Sequence, residues 1–93
     1  MKNKYDIGDF VPTITEQSVK NEIVKRFKIR RKEFGITQRE LSERSGVSYA
    51  SIRRFETSGE ISLHALLRIS VVIDCLEDFN GIYKNPIVKD IRR

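Results

Sequence analysis

From Glu16 onward the apolar residues recur at helical spacing, and no stretch shows the alternation of a strand. Val19, Ile23, Phe27 and Phe34 predict one apolar stripe on a first helix, Glu16 to Phe34, which Gly35 ends. Thr37 followed three residues later by Glu40 is a capping box and starts a second helix. That helix stops near Ser45, before Gly46. Ser48 caps a third helix running to about Thr57, closed by Ser58-Gly59. Ser62 caps a fourth, with Leu63, Leu66, Leu67, Ser70 and Val71 as its expected core stripe. Ile69, Val72, Ile73 and Leu76 make this helix apolar on a second side, so it should bury more than one face. A fifth short helix is expected over Glu77 to Tyr83, with Leu76, Phe79, Ile82 and Tyr83 inward, stopped by Pro86. The fold class is all-α, about five helices.

Before Glu16, Gly8, Pro12 and a few apolar residues sustain no period. Residues 1–15 read as an extended N-terminal arm that packs on the body or a partner, or frays. Residues 16–84 form the domain, and 85–93 a basic tail ending in Arg92-Arg93. The second apolar side of the fourth helix, through Val72, Ile73, Leu76 and Phe79, is the candidate dimer surface. The arm folding back over it is the alternative.

The chain has 93 residues, enough for one modest core. Its net charge of +5 and pI near 9.6 favour a polyanionic partner, either nucleic acid or an anionic membrane surface. A plain basic domain has the same charge. The first helix concentrates Lys20, Lys25, Arg26, Lys28, Arg30, Arg31 and Lys32, a face that either tracks phosphates or is simply solvated. Cys75 is the single cysteine, which fits a reducing cytoplasm and burial as a small hydrophobe. The sequence shows no signal-peptide core and no bilayer-spanning run. There is no Cys/His cluster, no Gly-rich phosphate loop and no nucleophile–base pair, so an enzyme, a metal or a cofactor is not indicated. His64 is expected to be an exposed first-turn residue, and Arg39 and Arg44 to be solvated helix charges.

The informative run is Gly35-Ile-Thr-Gln-Arg-Glu-Leu-Ser-Glu-Arg-Ser-Gly-Val-Ser-Tyr-Ala-Ser-Ile-Arg-Arg-Phe-Glu56. Leu41 points inward from the second helix, and Ser42 is small where the third helix crosses. Gly46 suits a turn needing positive φ, and Val47 plugs the space beneath it. Ile52 and Phe55 are the inward positions of the third helix. Such a pattern is what two short helices at a steep angle require.

This run closely resembles the helix-turn-helix of the Cro and lambda-type phage repressors, the XRE family, over about residues 23–83. The resemblance implies a lambda-repressor-like fold and a bacterial or phage regulator that binds double-stranded DNA. It implies that Gln38 contacts a backbone phosphate. It also implies that Ser48, Tyr49, Ala50 and Ser51 reach base edges, with Arg53 and Arg54 one turn on. Arg31 and Glu56 match a structural ion pair of that family. An arginine bidentate to guanine gives about 1–3 kcal/mol of discrimination, and Ala50 suits a thymine methyl. Tyr49 stands where the family often has Gln, and suits stacking along the sugar-phosphate wall or a phosphate hydrogen bond. The family's usual mode is a two-fold homodimer repressing from a pseudo-palindromic operator, in the cytoplasm and on the nucleoid.

Phe55-Glu-Thr-Ser-Gly-Glu-Ile-Ser-Leu63, followed by Leu76-Glu-Asp-Phe79, looks like the small XRE regulators encoded beside HipA-type kinase toxins. That likeness implies an antitoxin that neutralises the kinase and represses its own operon, with the arm and tail as toxin-binding segments. A basic, sequence-blind nucleic-acid binder is the third reading.

Overall fold

The structure, a computed structural model, describes residues 14–87. Residues 1–13 of the expected arm and 88–93 of the tail lie outside the described residues. All the regular structure described is helical: α1 (Glu16–Phe34), α2 (Gln38–Ser45), α3 (Tyr49–Ser58), α4 (Leu63–Val72) and a closing 3-10 helix (Leu76–Gly81).

Local chemistry sets the helix starts. Thr15, Thr37, Ser48 and Ser62 each stand in extended backbone, and each side-chain oxygen accepts from the backbone N–H three residues on. At α2 the box is reciprocal, with the Thr37 N–H donating to Glu40 Oε1 at 2.9 Å. Gly46 ends α2 at φ 79°, and its N–H donates to the Ser42 carbonyl at 2.9 Å. A side chain there would meet the left-handed penalty of about 1–2 kcal/mol.

The core gathers Phe27 from α1, Ile36, Leu41 from α2, Val47, Ile52 and Phe55 from α3, then Ile69, Ile73 and Cys75. α1 packs on α3, α2 on both α3 and α4, and the 3-10 helix on α4. The Phe27 and Phe55 rings meet edge to face, centroids 5.2 Å apart. Such a pair is worth about 0.5–1.5 kcal/mol beyond its buried area.

Three expectations need correction. In α1 only Phe27 of the predicted stripe is buried, while Val19, Ile23 and Phe34 are exposed. Val19 and Ile23 line an open apolar groove shared with Leu63 and Leu66, which no described residue fills.

In α4 the buried residues are Ile69 and Ser70, with Ile73 just past the end, whereas Leu63 (65%) and Val71 (57%) are exposed. A helix apolar on nearly every side gives periodicity no phase, and the contact with α2 sets it instead. Ser70 is tolerated inside because its hydroxyl donates to the Leu66 carbonyl at 2.7 Å. Ile73 is fully buried within the protomer, so it is withdrawn from the expected dimer surface.

The fifth element is a 3-10 helix with no buried residue. Phe79 is half-buried, but Leu76, Ile82 and Tyr83 point outward.

Candidate nucleic-acid interface

The turn between α2 and α3 is held by side chains from three helices. Leu41 and Ile52 are fully buried on either side of it, and Val47 fills the space beneath. Ser42 Oγ donates to the Val47 carbonyl at 2.7 Å, and the Val47 N–H donates to Ser45 Oγ at 3.0 Å. From α4, Arg68 donates Nε and Nη2 to the Ser45 carbonyl at 2.9 and 2.6 Å. A cation at the C-terminus of α2 also complements the helix dipole.

α3 is divided lengthwise. Ile52, Phe55 and Glu56 are buried, whereas Ala50, Arg53 and Arg54 are exposed and Tyr49 and Ser51 are half-buried. Ser48, the exposed N-cap, accepts the Ser51 N–H at 3.0 Å, and its own hydroxyl donates to Ser51 Oγ at 2.9 Å. The two hydroxyls are therefore turned on each other. Among the described residues neither Arg53 nor Arg54 has a carboxylate within 4.0 Å.

Beneath that face lies a buried polar cluster. Arg31 of α1 meets Glu56 of α3 through Nε–Oε2 at 2.7 Å and Nη2–Oε1 at 3.0 Å. Its Nη1 donates to the Ile36 carbonyl at 2.9 Å. Gln38, at the start of α2, donates Nε2 to Glu56 Oε1 at 2.9 Å. Glu56 thus accepts from α1 and α2 at once and ties both to α3. An arginine fork on a carboxylate fixes orientation as well as charge.

The basic face of α1 divides. Arg31 is inside the core, Lys20 pairs with Glu60 at 2.7 Å, Arg26 with Glu22 at 3.3 Å, and Arg30 donates to the Asp74 carbonyl at 3.1 Å. Lys25, Lys28 and Lys32 have no ion pair among the described residues. Of the candidate dimer residues, Val72 is half-buried against the core, Phe79 is half-buried and Leu76 is exposed.

Arg39, expected to be a solvated helix charge, is exposed, and it also meets an aromatic ring. Its guanidinium lies 4.3 Å from the centroid of the Tyr49 ring, and that of Arg53 lies 5.6 Å from the same centroid. Helix spacing gives no sign of this, because the contact crosses from α2 to α3. The signal available was an arginine and an aromatic in the first turns of two helices that cross.

Other titratable groups have structural settings. Burial pushes the Cys75 thiol above its ordinary value, and nearby Asp78 adds to the shift. His64 is exposed in the first turn of α4. Among the described residues no cluster suits a metal ion, and no helix is long and apolar enough to cross a membrane.

Two short helices around a left-handed glycine, the second with a basic outer face that has no carboxylate partner among the described residues, have the geometry of a helix-turn-helix. A family profile described as helix-turn-helix matches residues 27–79. The chain belongs to that family, the Cro/C1 or XRE type of DNA-binding transcription regulators. Comparison with curated proteins and with solved structures returned no match.

Proposed function

We propose that the protein is a repressor that binds a pseudo-palindromic operator as a two-fold dimer, with α3 in the major groove. One observation carries this reading: α3 turns Ala50, Arg53 and Arg54 outward without carboxylate partners among the described residues, while its other side is locked in the core. The major groove admits an α-helix and displays guanine O6 and N7 to an arginine fork. Arg54 and Arg53 read base edges, and Ala50 meets a thymine methyl. Ser48 and Ser51 lie at the phosphate wall beside the first turn of α3.

Gln38 serves as a phosphate contact without leaving Glu56. Its amide nitrogen carries two hydrogens; one is given to the carboxylate, and the second is open to a phosphate oxygen. Val72, Leu76 and Phe79 form the dimer contact that sets half-site spacing. Occupancy of a promoter then blocks polymerase in the cytoplasm, with the protein held on the nucleoid.

A second reading, the antitoxin of a HipA-type kinase, draws on a separate feature. An open apolar groove of about 580 Å³, lined by Ile14, Val19, Ile23, Leu63 and Leu66 among others, runs between α1 and the start of α4. It is distinct from the outward row of α3, so a protein partner seated there leaves the reading face clear.

The test is selection from random DNA at near-physiological salt, then titration of wild type and Arg54→Ala on the selected site. The expected result is a palindrome, with preference relaxed at one position per half-site in the variant, at about 1–3 kcal/mol. No selected motif and equal binding by both proteins would refute the repressor reading. Co-purification with a co-expressed kinase of the HipA type then decides the antitoxin reading.

A further inference from the structure

Arg39 and Arg53 come from different helices and share one aromatic ring, both within the roughly 6 Å over which a guanidinium feels a ring face. Gathering two like charges is unfavourable unless an anion answers them. The fold supplies none among the described residues, where neither arginine has a carboxylate within 4.0 Å. α2 and α3 carry three carboxylates; Glu43, one turn after Arg39, is exposed and makes no ion pair within 4.0 Å among the described residues, and the other two are committed elsewhere. Glu40 caps its own helix at Thr37, and Glu56 is held by Arg31 and Gln38. Tyr49 is half-buried, with both guanidiniums beside its ring.

We infer that Arg39, Tyr49 and Arg53 act as one DNA-contacting unit, in which the ring holds Arg39 toward a backbone phosphate and Arg53 toward the base edges. This rests on the reading that α3 enters the major groove. Tyr49 is then a positioning residue that acts through its ring, and its hydroxyl contributes nothing to affinity. Arg39 extends the contact beyond α3 and adds charge without adding sequence preference. A planar guanidinium suits both tasks, because it stacks on a ring with its face and keeps its N–H edge for an oxygen acceptor.

Three variants test this: Tyr49→Phe, Tyr49→Leu and Arg39→Gln. In the DNA-free protein, proton NMR should show upfield ring-current shifts on the Arg39 and Arg53 side chains. These should persist in Tyr49→Phe and vanish in Tyr49→Leu. On a selected site, Tyr49→Phe should bind within about twofold of wild type, and Tyr49→Leu about fivefold or more weaker, with relaxed preference where Arg53 reads. Arg39→Gln should weaken all sequences alike and reduce the salt slope by about one. Urea midpoints measured in parallel should stay close to wild type in all three, which separates lost contact from lost fold.

Absent ring-current shifts, or a Tyr49→Phe loss as large as that of Tyr49→Leu, would overturn the inference. A wild type without sequence preference would sink the major-groove reading. In that case retained ring-current shifts, a Phe/Leu split in overall affinity and a lowered salt slope in Arg39→Gln would still support the unit as a phosphate contact.

Discussion

Arg31 and Glu56 are joined by two hydrogen bonds, at 2.7 and 3.0 Å, with both side chains almost wholly withdrawn from water. Removing one partner strands a buried charge. We expect Glu56→Leu and Arg31→Met each to lose about 3–5 kcal/mol in urea unfolding, and the double variant to lose much less. A double-mutant cycle measures the difference. Additive losses would mean that the pair is not energetically coupled.

Gly46 and Gly35 both hold left-handed backbone, at φ 79° and 81°, in different surroundings. A Cβ on Gly46 would lie 2.6 Å from Arg68 Nη2, whereas one on Gly35 would meet open space. Gly35→Ala should therefore cost about 1–2 kcal/mol, the backbone penalty alone. Gly46→Ala should cost about 1 kcal/mol more, because Arg68 must release the Ser45 carbonyl. In an Arg68→Ala background the two glycine substitutions should become equal. Thermal unfolding of the six proteins, the two backgrounds and both glycine variants in each, reads this directly.

Glu40 is held below its ordinary value of 4.5, first by the hydrogen bond it accepts from the Thr37 backbone and then by the Thr37 hydroxyl. A depressed folded value means stability that is fully present above the ordinary value and lost as pH falls through the folded one. Wild type should thus be more stable than Glu40→Gln at neutral pH, with the gap closing on acidification below about 4.5. Urea midpoints of both proteins across that range check the sign. A gap that widens toward acid would contradict it.

Leu76 is 45% exposed and lines a shallow surface pocket with half-buried Phe79. If this face joins two protomers, Leu76→Glu should weaken self-association about tenfold or more in sedimentation equilibrium, since a buried unpaired charge is strongly unfavourable. The unfolding midpoint of the dilute protomer should barely move. Unchanged association would place the dimer contact elsewhere.

The helix boundaries were legible because they are local. Thr37, Ser48 and Ser62 accept from their own first turns, and Gly35, Gly46 and Gly59 supply the left-handed stops, all within a few residues of sequence. The inward positions around the turn, Leu41, Val47, Ile52 and Phe55, were legible for a similar reason: a tight turn leaves one way to pack them. The inward line of α4 was not, since an almost uniformly apolar helix carries no phase of its own. The exposure of Val19 and Ile23 depends on a groove between α1 and α4 that stays open, and Arg39 over Tyr49 depends on a crossing of two helices. At the candidate site, the outward row of α3 was named through the family resemblance, whereas the stack beside it left only a faint trace, an arginine and an aromatic opening two helices that cross.

The lengthwise division of α3 has an evolutionary corollary. Its anchors, Ile52, Phe55 and Glu56, face the core, while Ala50, Arg53 and Arg54 touch little of it. The outward set is therefore free to drift, or to be transplanted, as a cassette, and the scaffold pays almost nothing in stability. On the proposed reading, new operator preferences become reachable through a handful of codons, provided each new reader tolerates the Arg39 and Tyr49 that flank it.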